Sequence, residues 1–177
     1  MPTRQHALEL VLAPDDDRSV RARWQLLEDA GVSSSARHHG PTHRPHVTVL
    51  AGPAPGAQVL ELAAVTWTPL LPLPLPVVAL VLLGSRRPAL ADLLAAPVSA
   101  VAAREELRIA WPGADGRPWV PHLTMAPRLH LDSAPAALAA LEPVDRAAGT
   151  TRVAVGLRWW DPETGSVRTV AGQTGGV

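Results

Sequence analysis

Apolar and polar positions along this 177-residue chain fall into short runs with two different periods. Ala7 to Leu12 is apolar except for Glu9 and reads as a strand. Asp15, Asp16 and Asp17 follow, suited to cap a helix and to complement its N-terminal dipole. Val20, Trp24 and Leu27 recur at helical spacing, and Gly31 fits the position just past the helix end. Val32 to Arg44 is a Ser/His/Gly-rich loop, and an alternating strand follows it. Ala57 to Val65 predicts a short helix and Leu75 to Leu83 a buried strand. Pro88 to Ala96 has the propensity of a helix, but periodicity does not settle so Leu-Ala-rich a run. Ser99 to Arg108 predicts a helix, Gly113 to Gly116 a loop, Trp119 to Ala126 a strand and Ala134 to Leu141 a helix. Arg152 to Trp160 and Ser166 to Ala171 predict a closing hairpin around Asp161-Pro162-Glu163-Thr164-Gly165. The order of elements suggests two similar halves.

Leu62 to Ser85 carries no charge and is long enough to span a bilayer. Pro69, Pro72, Pro74 and Pro76 forbid a regular helix there. The stretch reads instead as a helix end, an extended Leu-Pro run and a strand. The apolar start of the chain runs into three aspartates and lacks the features of an export signal. No membrane association is expected, and a cytoplasmic location fits.

Two of the predicted strands are near copies. Pro45-His46-Val47-Thr48-Val49 and Pro121-His122-Leu123-Thr124-Met125 share one pattern, with the histidines 76 positions apart. Residues i and i+2 of a strand point to the same face. Each segment therefore sets one imidazole beside one hydroxyl and sends its aliphatic residues into a core. An imidazole titrates near pH 6.5, so one ring can take a proton while another gives one. Hydroxyls can stabilise charge that builds on phosphoryl oxygens.

These paired His-x-Thr motifs resemble the 2H phosphoesterase superfamily, nearest to its 2′-5′ RNA ligase and 2′,3′-cyclic phosphodiesterase branch. The resemblance implies an α+β fold in one domain over residues 1–177: two lobes, each an antiparallel sheet with outer helices, around a central cleft lined by the motif strands. It also implies a strand within Pro88 to Ala96. The activity implied is a metal-independent phosphodiesterase that opens 2′,3′-cyclic phosphates or related nucleotide phosphodiesters, with His46, Thr48, His122 and Thr124 catalytic and no cofactor. One histidine would activate water and the other would protonate the departing ribose oxygen. The residues alone do not assign these roles; the resemblance places attack and departure on opposite lobes, and His46 is taken as the acid and His122 as the base. The alternatives are 2′-5′ RNA ligase activity, or nucleotide or RNA binding without turnover.

Composition narrows the partners. Acidic and basic residues balance at sixteen each, which favours a small substrate or an RNA end over a long nucleic acid. All sixteen basic residues are arginine, and Lys, Asn, Phe and Tyr are absent, a bias that suggests a bacterial, GC-rich genome. The absence of cysteine excludes disulfides, thiol catalysis and thiolate metal sites. A monomer is the simplest expectation.

Other residues are candidates for the substrate. Arg44 precedes His46 by two and can hold a phosphate oxygen or sit as a solvated rim charge. Arg128 follows the second motif, where a basic residue recurs in the family, though Pro127 shifts its register. Arg158 can face the cleft or water. Trp119 and Trp111 can stack a base or pack the lobes together. His38, His39 and His43 invite a metal, and with it a metal-hydrolase reading that includes His46, but they lack acidic partners nearby and also read as a solvated loop. His6 and His130 belong to no constellation visible in the sequence.

Overall fold

The computed structural model describes residues 5–142 and 150–173. Its elements run β1 (His6–Leu12), α1 (Pro14–Asp29), β2 (His46–Gly52), α2 (Ala57–Trp67), β3 (Leu73–Leu83), β4 (Ala89–Leu94), α3 (Val98–Ala110), β5 (His122–Ala126), α4 (Ala134–Leu141), β6 (Thr151–Asp161) and β7 (Ser166–Gly172). All strand pairs are antiparallel. The strand order is β2-β1-β6-β3-β4-β5, and β7 pairs with the second half of β6.

One long strand joins the two halves. Leu73 to Pro76 of β3 pair with β6, whereas Val77 to Leu83 pair with β4. Strands β2 and β5 stand at the two ends of the order yet lie against each other. The sheet thus curls until its ends meet.

The helices are exchanged between halves. α1 lies between β1 and β2 in sequence but packs on β5 and α4. α3 lies between β4 and β5 but packs on β2 and α2. Each motif strand is therefore contacted by the helix that precedes the other motif. The predicted face of α1, Val20, Trp24 and Leu27, is buried, as are Ala100, Ala103 and Leu107 of α3. From the strands Leu8, Leu10, Leu12, Val47, Val49, Leu123 and Met125 enter the same core. Burial of each such large side chain stabilises the fold by roughly 1.5–3 kcal/mol.

Three local expectations change. The aspartates do not cap α1: Ala13 is its N-cap without a side-chain bond, Pro14 opens the helix, and Asp15, Asp16 and Asp17 occupy the first turn. There they act through charge and through specific bonds, Asp16 accepting the Val153 N–H at 2.9 Å. Strand β3 begins earlier than Leu75 and takes in Pro74 and Pro76, whose exposed rings alternate with buried Leu73, Leu75 and Val77. Proline is tolerated because this part of β3 pairs with β6 alone. The second part of β3 is not buried throughout, since Val78 is 54% and Leu82 45% exposed. Pro88 to Ala96, left open by its own residues, holds strand β4 as the family resemblance implied, fixed by ladders on both sides that no local propensity encodes. Gly31 does end α1, at φ +74°. Among the described residues, no helix is long and apolar enough to cross a membrane.

Candidate functional site

Both motif histidines are held in the same way. The Nδ1–H of His46 donates to the Arg44 carbonyl at 2.8 Å, and the Nδ1–H of His122 donates to the Val120 carbonyl at 2.7 Å. Each acceptor lies two residues back, across a proline. Proline fixes its own φ and keeps the preceding residue extended, which steadies the carbonyl beside the ring. A carbonyl only accepts, so Nδ1 carries hydrogen in each ring and Nε2 is left for other partners. Both rings are half-buried, as are Thr48 and Thr124.

The threonine carbonyls take crossed bonds. Trp24 of α1 donates its indole N–H to the Thr124 carbonyl at 3.0 Å. Trp119, which leads into β5, donates to the Thr48 carbonyl at 2.9 Å. Among the described residues, strands β2 and β5 each have one ladder neighbour, so their outer carbonyls need such donors. Each motif strand is thus anchored by a tryptophan from the other half. Beside Trp24, buried Arg23 forms an ion pair with buried Asp92 of β4.

The floors beside the two motifs differ. Residues paired across antiparallel strands share a face. Glu9 pairs with Thr48 on one side and Arg158 on the other, and Val11 pairs with His46. The buried Glu9 carboxylate accepts from Arg158 Nε at 2.9 Å and lies 3.4 Å from His46 Nε2. Arg158 also donates to the Thr42 carbonyl at 2.9 Å. Arg158 is therefore buried rather than turned out to bulk solvent, and it braces Glu9. Beside the second motif, Ala91 and Leu93 pair with Thr124 and His122, and Val81 and Ala79 lie beyond them. One imidazole has a buried carboxylate at hand, and the other has an apolar floor.

A cavity of about 650 Å³ opens next to the first motif, lined by Arg18, Arg21, Arg44 and Arg158 with His43 and Asp17. Asp17 organises it, accepting from Arg21 at 2.5 Å and from Arg44 at 3.2 Å. The cavity carries more positive than negative side chains, which suits an anionic ligand.

No protein-family model and no curated protein matches the chain. Solved structures do. Usb1 from Kluyveromyces marxianus superposes with a TM-score of 0.56 at 14% identity, over 94% of this chain and 97% of that one. The same protein with uridine monophosphate gives 0.53 at 12% identity over the same shares. E. coli LigT complexed with NADP+ gives 0.52 at 13% identity, over 97% of this chain and 95% of that one. These proteins are members of the 2H phosphoesterase superfamily. The chain has the 2H phosphoesterase fold.

Within this 2H fold the remaining sequence candidates find definite places. Arg44 is tied to Asp17 at the wall of the basic cavity. Arg128 is exposed and has φ +60°, the left-handed conformation that follows from turning the chain right after Pro127. Trp119 is half-buried with its ring edge-on to Trp67 at 6.3 Å, and Trp111 is buried with its N–H on the Pro53 carbonyl. His43 stacks on Trp24 at 5.2 Å, and its Nε2–H donates to the Ser35 carbonyl at 2.9 Å. Burial holds its imidazole below the usual histidine range, opposed by that carbonyl. His38 and His39 are exposed in the same loop, as is His130 after β5. Glu9 and Arg21 were not visible as site residues in the sequence. Glu9 carried one signal, a lone charge in an otherwise apolar strand.

Proposed function

We propose that the chain is a metal-independent 2H-type phosphodiesterase that opens 2′,3′-cyclic phosphate ends of nucleotides or RNA. His122 acts as the base. Its free Nε2 accepts a proton from water, whose oxygen attacks phosphorus. His46 acts as the acid. Its Nδ1–H is spent on the Arg44 carbonyl, which leaves Nε2, 3.4 Å from the Glu9 carboxylate, as the nitrogen that carries the transferred proton. It gives the Nε2 proton to the ribose oxygen as the P–O bond breaks. Thr48 and Thr124 donate to the non-bridging oxygens.

The observation that carries this reading is the shared Nδ1-to-carbonyl bond of two motif histidines on strands that touch. The basic cavity supports an anionic substrate, with Arg44 on the phosphates. Arg128 and the exposed part of Trp119 are proposed to meet the rest of the nucleotide. Two structures of this fold hold uridine monophosphate and NADP+, which supports a nucleotide-like substrate.

The test is hydrolysis of the four 2′,3′-cyclic nucleotides with chelator present. Turnover is expected to persist. His46→Ala and His122→Ala should each lower it by about 10²–10⁴-fold, with the double variant far less than additive. Activity lost in chelator and restored by one divalent ion, or a single histidine variant with near-normal turnover, would overturn the proposal.

A further inference from the structure

His6 plays no part in the mechanism above, yet it is enclosed among partners that suit a metal. Its side chain is 5% exposed, its ring stacks on Trp159 at 5.7 Å, and its Nδ1 is buried without a hydrogen-bond partner. That nitrogen points towards the β6–β7 turn. Asp161 Oδ1 lies 3.7 Å away. This exceeds a hydrogen bond, which ends near 3.2 Å. Two atoms bound to one ion through bonds of about 2.0–2.2 Å sit roughly 3–4 Å apart. Glu163 completes the group, with ligand atoms from all three residues within 4.8 Å of one another. Its exposed side chain is free to close the remaining gap.

The turn already fixes one ligand. Asp161 accepts the Glu163 N–H at 2.8 Å and the Thr164 hydroxyl at 2.9 Å, so the carboxylate is oriented from behind as metal-binding carboxylates commonly are.

We propose that His6, Asp161 and Glu163 bind one divalent transition-metal ion, with water completing its shell. The imidazole selects Zn²⁺-like ions over Mg²⁺ or Ca²⁺, which prefer all-oxygen sets. The ion would tie the β6–β7 turn to the start of β1. His6 pairs with Gly52, whereas His46 pairs with Val11, so the site lies about 16 Å along β1 from the first motif. Its role is structural, and chelator should lower the melting temperature while leaving turnover alone.

The experiment titrates the full chain with ZnCl₂ by calorimetry and follows thermal unfolding. Binding of one equivalent is expected, with the melting temperature rising by roughly 5–10 °C at a hundredfold excess over Kd and unmoved by Mg²⁺. Asp161→Asn and the exposed Glu163→Gln should each weaken binding at least tenfold, while His38→Ala with His39→Ala leaves it unchanged. No binding at millimolar Zn²⁺ overturns the proposal. So does wild-type affinity in either carboxylate variant, or binding lost through the His38/His39 pair.

Discussion

Replacing Trp119 by Phe removes one donor and leaves an aromatic ring against Trp67. The lost bond is the indole N–H to the Thr48 carbonyl at 2.9 Å. A neutral hydrogen bond contributes about 0.5–1.5 kcal/mol net. The smaller ring sacrifices packing worth on the order of 1 kcal/mol. Together they predict a loss of about 2 kcal/mol, or roughly 4–8 °C in melting temperature for a chain of this size. The chemical effect should be larger. Thr48 carries the proposed phosphate donor, and β2 has β1 as its one ladder neighbour. A displacement of about 1 Å at a reacting group lowers rate by about 100-fold. Trp119→Phe should therefore reduce kcat by about 10–100-fold on a 2′,3′-cyclic nucleotide, and Trp24→Phe should do the same through Thr124. Urea unfolding and steady-state kinetics on the same preparations separate the two effects. A variant that loses the expected stability but keeps wild-type kcat would show that the crossed indoles only pack the halves together.

Thr48→Val and Thr124→Val should each remove about 2–4 kcal/mol of transition-state stabilisation and lower the whole pH–kcat curve without changing its shape. Wild-type turnover in either would refute the hydroxyl's role. Asp92→Ala takes the carboxylate from Arg23, where the two side chains are 1% and 3% exposed, and should lower unfolding free energy by about 3–5 kcal/mol. The double change of Arg23 and Asp92 to Leu should lose much less, as urea unfolding of both variants would reveal. In the loop before β5, hydrogen bonds from Arg117 hold the Asp115 carboxyl down at about 2 from an ordinary 3.8. A depressed value means that its stabilisation is complete above pH 3.8 and is lost as pH falls towards 2. Arg117→Ala should move that loss to higher pH. Because Arg117 is 85% exposed, added salt should shrink the difference, both read from urea midpoints between pH 2 and 5.

Most strands and helices were legible because their apolar periods differ, and the His-x-Thr copies were legible because a strand alternates faces. Three features were not. The Leu-Ala run of β4 becomes a strand only because β3 and β5 flank it, a tertiary choice that its own residues do not make. The exchange of α1 and α3 depends on which sheet each apolar face meets, and both faces are apolar enough for either. Glu9 and Arg158 meet across 149 positions, so a solitary charge in β1 gave no sign of its partner. A comparable separation in sequence hid His6 from Asp161. By contrast Trp119, weighed from sequence for stacking or for packing, spends its N–H on the backbone of the opposite motif.

Strand β6 has a consequence for how the polypeptide is made. It pairs with β1, with the first part of β3 and, as the only partner among the described residues, with β7. A ribosome delivers both His-x-Thr segments before it delivers β6. Until then β1 and β2 form a two-stranded ribbon with both edges open, and no strand pairing links β1 to β3. Such long-range pairing slows folding and leaves strand edges exposed while the chain waits. A fragment truncated after β5 would therefore contain every proposed catalytic side chain and still lack the strand that sets the two motif sheets side by side.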